Sequence, residues 1–168
     1  MSATSLVTER LVLRPFNMGD APVLFKIVQE PDIFRYFPTK TPWEMEKVER
    51  NINYQIDQWQ THGYGQMAVT LATTGQLMGW CGLEFISDTG ETEVGYLLSK
   101  AFWRKGYATE AARESVKFGI EVAGLKEVIG LTDPENIASQ RVLEKCGLSF
   151  TRRQVYFGME MFRYAIQV

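Results

Sequence analysis

The sequence predicts an α/β fold, classed as α+β in some schemes, with a mixed central sheet of about six to seven strands and about four helices. Segments in which apolar and polar residues alternate are interspersed with segments whose apolar residues recur every three or four positions. Their order is one strand, two helices, three strands, a helix, a strand, a helix and two strands. Because helices that follow strands cover the faces of a sheet, we expect helices on both sides.

The length and composition favour one soluble domain. The 168 residues, with no repeat or linker-like stretch, fit a single domain spanning residues 1–168. The chain is 45% hydrophobic and 23% charged, and its net charge of −2 lacks the basic excess typical of nucleic-acid-binding proteins. We see neither a membrane span nor a signal peptide, and therefore expect a cytoplasmic protein without membrane or nucleic-acid partners. Cys81 and Cys146 are expected to be free thiols, and no metal-ligand spacing is present.

The first third of the chain is expected to hold one strand and two helices. Residues 8–16 suit a strand, and Asn17 with Asp20 would cap a short helix over residues 21–29. A second helix is expected to start at Thr41, with Pro42 in its first turn and Glu44 completing a capping box. Gly63 and Gly65 would end it.

The rest of the chain alternates strands and helices. An alanine-rich helix should run from about residue 107 to Gly124, with Glu110, Arg113 and Glu114 on its solvent side. Asn136 and Gly147 would bound a last helix. The expected strands are residues 65–72, 76–86 and 91–99 as an antiparallel meander with turns at Thr74-Gly75 and Ser87–Gly90, then residues 126–132, 148–157 and 158–168.

The segment WRKGYAT, residues 103–109, could carry chemistry because it joins a strand to a helix start. A helix N-terminus presents about four unpaired backbone N–H groups and binds phosphate readily. Gly106 permits close approach, Ala108 keeps the next turn small, and Arg104 and Lys105 add positive charge. On local pattern alone, a plain helix entry is as good an interpretation as a phosphate cradle.

This segment resembles the pyrophosphate-binding motif Q/R-x-x-G-x-G/A of the GNAT acetyltransferase superfamily. Gly106 and Ala108 match the motif, and Trp103 replaces the Gln/Arg. The tryptophan is typical of the branch that resembles ribosomal-protein-alanine N-acetyltransferases (RimJ/RimL-like). TERLVLRPF, EVGYLL and NIASQRVLEKCGLSF resemble the same branch in the same order, so the similarity covers nearly the whole chain. It implies the GNAT fold, whose mixed sheet is mostly antiparallel.

The resemblance implies acetyl-CoA as co-substrate, with its pyrophosphate on the amides at the start of the alanine-rich helix. The pantetheine arm would lie along the strand that ends in YLL, where a backbone amide would stabilise the oxyanion. The alternative interpretation of EVGYLL is an ordinary core strand. The residues expected to bind the cofactor are Tyr96, Leu97, Leu98, Trp103, Arg104, Lys105, Gly106, Tyr107, Ala108, Thr109, Asn136 and Ser139.

Two residues are the expected catalytic groups. Ser139 lies one turn after Asn136 and would protonate the departing thiolate, since Leu143 stands where many family members have a tyrosine. The alternative for the pair is plain helix capping. Glu93 would act as the base that deprotonates the amine, directly or through water. Glu84 is the second candidate base, and a surface-facing role is the alternative for Glu93.

The sequence thus predicts an N-acetyltransferase that moves an acetyl group from acetyl-CoA to a primary amine by direct attack. The acceptor would be a peptide N-terminus or an amino acid or polyamine-like small molecule, and the protein a monomer or a homodimer. A non-catalytic acyl-CoA-binding module and an unrelated nucleotide- or phosphosugar-binding domain are the alternatives. His62 is expected in a solvated loop. The aromatic residues near the first two helices are either core or acceptor wall: Phe34, Tyr36, Phe37, Trp43, Trp59 and Tyr64.

Overall fold

A computed structural model describes residues 4–168, and in them the strands form one mixed sheet. The sheet has eight strands in the order β1-β2-β3-β4-β5-β6-β8-β7, and every neighbouring pair is antiparallel except β5 and β6. The strands are β1 Leu6–Val7, β2 Leu11–Arg14, β3 Gln66–Leu71, β4 Leu77–Ile86, β5 Glu91–Leu98, β6 Glu127–Thr132, β7 Ser149–Tyr156 and β8 Met159–Gln167. The predicted mixed, mostly antiparallel architecture is confirmed.

The strand predicted over residues 8–16 is shorter than expected, since β2 spans Leu11–Arg14, and the sheet has an additional strand, β1, that lies before the predicted range. Thr8 lies in the turn: its amide donates to the carbonyl of Leu11 at 3.0 Å, and its Oγ1 accepts from the Leu11 amide at 3.1 Å. A threonine side chain that bonds a nearby amide competes with the strand ladder. The result is a short β1–β2 hairpin at the edge of the sheet.

Four α-helices cover both faces of the sheet in the described part of the chain: α1 Ala21–Val28, α2 Met45–His62, α3 Tyr107–Glu121 and α4 Ile137–Lys145. On one face, Leu24, Val48 and Ile52 of α1 and α2 pack in a core with Ala68, Trp80 and Leu97. On the other face, Ala111, Ala112 and Val116 of α3 pack with apolar residues of β2 to β5. From residue 4 onward, no helix has the length and apolar character needed to cross a membrane.

The helix starts agree with the sequence prediction at Asn17 but not at Thr41. Asn17 and Asp20 form the predicted capping box, around a 3₁₀ turn at Met18–Asp20 that leads into α1. By contrast, α2 begins at Met45 with Glu44 as its N-cap, so the predicted start at Thr41 is wrong. The Trp43 ring stacks between Phe34 and Trp80, with centroids 5.2 and 5.5 Å away. This packing holds residue 43 outside the helix.

Strand β5 separates from its neighbour β6. It pairs with β4 along its full length, from Glu91 to Leu98, but its only register pair with β6 in the described residues is Glu93 with Ile129. The last part of β5 therefore faces an opening rather than another strand. Helix α4, which follows β6, forms the far side of that opening.

Candidate active site

Helix α3 begins at a glycine with no side-chain cap. Gly106 is the N-cap residue, with φ +82°, a backbone conformation that glycine adopts without strain. The preceding Arg104 is also left-handed, with φ +61°. Because no side chain caps the helix, the amides of its first turn are not occupied by a capping oxygen. These amides and the positive end of the helix dipole suit an anionic ligand.

A cleft of about 850 Å³ runs from this helix start along β5 to the start of α4. Its walls include every residue predicted to bind the cofactor except Lys105, whose Nζ donates to the carbonyl of Ala101 at 3.0 Å. The contribution of the Lys105 charge to the helix start stays a prediction. The glycine at the helix start, the uncapped amides and the course of the cleft along β5 to α4 fit a nucleotide-linked pantetheine arm. The roles of the lining residues stay predictions.

Asn136 caps α4. Its Oδ1 accepts from the amide of Ser139 at 3.2 Å, so the capping alternative is correct for this side chain. The residue also lines the cleft. Its side-chain N–H groups are not used by that cap, so capping leaves a donor for a ligand.

Tyr96 and Ser139 form a hydrogen bond that the sequence did not predict. The Tyr96 hydroxyl lies 2.7 Å from Ser139 Oγ, joining the open part of β5 to the first turn of α4. Burial raises the pKa of Tyr96 above its usual value, and the bond to Ser139 only partly opposes this. The phenol therefore stays protonated at neutral pH. Period-two alternation in β5 puts Tyr96 on the α3 and α4 side, but the partner depends on tertiary packing.

A second, smaller cavity of about 160 Å³ shares Tyr96, Asn136 and Ser139 with the cleft. Its lining includes the carboxylate-bearing Glu93 and the backbone at Gly95. Four aromatic rings also line it: Tyr36, Phe37, Trp80 and Phe157. The cavity combines a carboxyl group with apolar walls, beside the point where β5 opens.

Glu93 lies directly opposite Glu84 across the β4–β5 ladder. Burial raises the pKa of Glu93 to about 8, with further contributions from the negative charges of Glu84 and Glu91. Glu84 accepts a 2.8 Å bond from Gln66 Nε2, and burial raises its pKa as well. Within residues 4–168, neither Glu84 nor Glu93 forms a salt bridge. Glu93 is half-buried, not the surface-facing residue of the alternative interpretation.

Glu91, two residues earlier, has its pKa shifted in the opposite direction. Arg163 Nε donates to it at 2.8 Å and the Tyr156 hydroxyl at 2.9 Å. Burial opposes ionisation of Glu91, but these bonds outweigh it and hold its pKa below the usual value. Of the two acidic residues on this side of β5, only Glu93 has a pKa suited to gaining and losing a proton near neutral pH.

Of the aromatic residues considered for the acceptor wall, some line the cavities and the others lie in the core. Tyr36 and Phe37 line both cavities, whereas Phe34 is buried in the core and Trp43 packs against it. Trp59 and Tyr64 also belong to the core, so the acceptor wall can draw on only two of these six aromatic residues. His62 is the last residue of α2, half-buried with its ring 4.8 Å from that of Phe85, so the expected solvated loop is wrong.

The fold and this site define an acyltransferase. A family model described as the acetyltransferase (GNAT) domain matches residues 10–149, and the chain belongs to this family. It is 29% identical over 150 residues to the uncharacterized N-acetyltransferase p20 of Bacillus licheniformis, covering 88% of this chain and 83% of the relative. It is 31% identical over 159 residues to the FsC-acetyl coenzyme A-N(2)-transacetylase of Aspergillus fumigatus, covering 86% and 65%.

Solved structures share the fold. An acetyltransferase from Agrobacterium tumefaciens superposes with a TM-score of 0.87 at 26% identity, covering 100% of this chain and 96% of that one. RimL, a ribosomal L7/L12 alpha-N-protein acetyltransferase solved in complex with coenzyme A, superposes with a TM-score of 0.82 at 14% identity, covering 98% of each chain. The resemblance to the RimJ/RimL-like branch is thus confirmed at the level of the fold.

Proposed function

We propose that this acetyltransferase moves the acetyl group of acetyl-CoA directly to a primary amine. The observation that carries the proposal is the opening of β5 between an uncapped helix start and two proton-handling groups. The uncapped start of α3 would bind the pyrophosphate, and the backbone of Tyr96 to Leu98, which pairs with β4 but not with β6, would hold the pantetheine arm. Neither Cys81 nor Cys146 lines the cavities, which supports direct transfer without a cysteine-bound intermediate.

Glu93 would act as the base. Its carboxylate lines the small cavity, where an amine acceptor would enter. As the nitrogen–carbon bond forms, Glu93 would take a proton from the amine, directly or through a water molecule. A backbone amide in the open part of β5 would stabilise the developing oxyanion.

Ser139 and Tyr96 would act together as the acid. When the carbon–sulfur bond breaks, the Ser139 hydroxyl would give a proton to the thiolate, and Tyr96 would resupply it through the 2.7 Å bond. Glu93 and Tyr96 would then exchange protons with solvent before the next turnover. The base and the acid lie on opposite faces of one strand, so each could serve one side of the acetyl group.

The acceptor is proposed as a primary amine that enters as a narrow group. A cavity of about 160 Å³ with aromatic walls suits an amine-bearing end rather than a bulky head. The relatives' names point to different acceptors: RimL acts on a ribosomal protein, whereas the Aspergillus enzyme is an N(2)-transacetylase of FsC. Both peptide N-termini and small amines therefore belong in the test.

The proposed function can be tested by incubating the protein with acetyl-CoA and a panel of peptides with varied N-termini, amino acids and polyamines. Mass spectrometry should detect a 42 Da increase (the acetyl group, by formula) on at least one amine, with stoichiometric release of CoA. Tight CoA binding without acetylation of any amine across pH 6–9 would contradict the proposal. It would favour the non-catalytic binding module instead.

We expect Ser139→Ala and Tyr96→Phe each to lower kcat by about 100-fold, the usual size of a general-acid effect. The dissociation constant of CoA should stay within about threefold, because each change removes one oxygen and keeps the rest of the side chain. If the two hydroxyls act in series, the double variant should be scarcely slower than either single variant. Steady-state kinetics and calorimetry measure both quantities.

Ser115→Ala is the matched control for these variants. Ser115 is buried in α3 and donates to the carbonyl of Ala111 at 3.0 Å, away from both cavities. It should keep kcat near the wild-type value. Wild-type kcat in Tyr96→Phe would exclude the tyrosine from the proton path.

A further inference from the structure

The β1–β2 turn contacts the first turn of α3, although the two are about a hundred residues apart in sequence. Thr8 Oγ1 donates to Glu110 Oε1 at 2.6 Å. Arg10 donates to the same carboxylate twice, from its backbone amide at 2.8 Å and from Nε at 2.7 Å. Glu110 is therefore half-buried and fully engaged, not on the solvent side of α3 as the helical pattern predicts.

The Arg10 side chain also touches the residues that form the helix start. Its Nη1 donates to the carbonyl of Lys105 at 2.9 Å, and its guanidinium carbon lies 4.2 Å from the centroid of the Tyr107 ring. A Cβ placed on Gly106 would be 3.3 Å from Arg10 Nη2. One arginine thus contacts the residues on both sides of Gly106 from outside the cleft, which it does not line.

The backbone held by Arg10 is unusual. Arg104 has φ +61° and Gly106 has φ +82°, so two of three consecutive residues are left-handed. A non-glycine residue in this region is strained and stays there only when its surroundings hold it. The bond from Arg10 to the Lys105 carbonyl lies between these two residues and supplies such support.

The same contacts control the charge at the helix start. A carboxylate in the first turn suits the helix dipole but would repel a bound pyrophosphate. Burial of Glu110 opposes its ionisation, but the bonds from Thr8 and Arg10 outweigh burial and keep its pKa below the usual value. Its negative charge is therefore present and is balanced by Arg10 at 2.7 Å.

We propose that Arg10 is a positioning residue for the pyrophosphate site: it holds the turn of residues 104–107 in its binding shape and neutralises Glu110. The inference rests on the proposed function, which puts the pyrophosphate at the start of α3. Arg10 acts on the diphosphate part of CoA only. The pantetheine arm and the chemical step depend on β5 and α4, which Arg10 does not touch.

Arg10→Ala and its matched control Arg14→Ala test this inference. Arg14 lies on the same hairpin and forms its own ion pair with Asp20, with bonds of 2.9 and 2.8 Å. Calorimetry should show CoA affinity about tenfold weaker in Arg10→Ala, as expected when charge-assisted bonds that order a binding turn are lost. Affinity for S-acetylpantetheine, which lacks the diphosphate, should be unchanged, and kcat at saturating acetyl-CoA should stay within about threefold.

The Arg14→Ala control should lower the melting temperature without changing CoA affinity. Equal weakening of CoA in both variants, or equal weakening of CoA and S-acetylpantetheine in Arg10→Ala, would overturn the proposal. Arg10→Lys provides a second test if the alanine variant does not fold. It keeps the charge, but one ammonium cannot reproduce the forked contacts with Lys105 and Glu110, so CoA affinity should still fall. Wild-type CoA affinity in Arg10→Lys would also overturn the proposal that Arg10 positions the pyrophosphate site.

The failure of this inference is distinguishable from failure of the proposed function. If wild-type protein binds no CoA, the placement of the pyrophosphate is wrong. If wild-type protein binds CoA and Gly106→Asp does not, while both Arg10 variants bind normally, only the role of Arg10 is wrong.

Discussion

Gly106→Asp is expected to weaken CoA binding by at least about 100-fold, because the new side chain would take the place of the pyrophosphate. Aspartate is a good N-cap residue, and its carboxylate accepts bonds from the first-turn amides that the phosphates need. It also puts a negative charge at the positive helix end. The φ of +82° strains any residue with a Cβ, and the Arg10 guanidinium would lie 3.3 Å from it. Calorimetric titration with CoA measures the loss.

Gly75→Asp is the matched control for this prediction. Gly75 has φ +74° in the β3–β4 turn, and a Cβ placed on it would have no heavy atom within 4 Å beyond its chain neighbours. The substitution brings the same strain and the same charge but lies away from the cleft, so CoA affinity should stay at the wild-type value. Unchanged CoA affinity in Gly106→Asp would exclude the start of α3 as the pyrophosphate site.

Glu93→Gln is expected to lower kcat/KM by about 100-fold or more, since the amide keeps the shape of the side chain but cannot accept a proton. In the wild-type protein the ionised fraction of Glu93, whose pKa is about 8, grows with pH. The value of kcat/KM should therefore rise up to about pH 8 and then level off. An acceptor amine with its own pKa below about 6 stays neutral throughout this range. With such an amine, the rising limb of the plot of kcat/KM against pH reports the ionisation of Glu93 alone. The limb should be absent in Glu93→Gln.

Glu84→Gln tests whether the charge opposite Glu93 sets the pKa of the base. It removes the negative charge opposite Glu93 but leaves an amide that can still bond Gln66. The pKa of Glu93 should fall, and the limb of kcat/KM should move to lower pH instead of disappearing. Other charges near Glu93 remain in both variants, since Asp133 lines the same cavity and Glu91 stays bonded to Arg163. If the limb stays at about pH 8 in Glu93→Gln, another group is the base.

The raised pKa of Glu93 also predicts how stability depends on pH. The change in the free energy of unfolding with pH has the opposite sign to that expected for a salt-bridged acid. The pKa of Glu93 is raised in the folded state, so the folded protein binds the extra proton between about pH 4.5 and pH 8. The free energy of unfolding should fall as pH rises through this window, by at most about 5 kcal/mol. Urea unfolding should show a weaker pH dependence in Glu93→Gln. An unchanged dependence would mean that Glu93 is not protonated in the folded protein within this pH window.

Local signals in the sequence were sufficient for much of the fold. The capping box at Asn17, the helix end at Gly63 and the turn at Thr74-Gly75 depend on neighbouring residues, and the structure agrees with all three. The start of α2 could not be predicted in the same way. Its capping signal at Thr41 is overruled by the stacking of Trp43 between rings from two distant segments.

The site shows the same division between local and distant causes. The glycine at the start of α3 and the run EVGYLL are visible in the sequence, and they led to the lining of the cleft. The hydrogen bond between Tyr96 and Ser139 needs α4 to lie against the open strand. The contact of Arg10 with Glu110 needs a hairpin at the chain start to reach α3. Neither contact can be predicted from the spacing of residues in the sequence.

The two sides of β5 have a consequence for how this protein can vary. Glu93 and Tyr96 are three positions apart, an odd number, and so their side chains lie on opposite faces of the strand. Inserting or deleting one residue between them would turn both side chains to the same face and leave the opposite face of β5 without a proton-handling group. In this short run of strand, the number of residues matters as much as their identity.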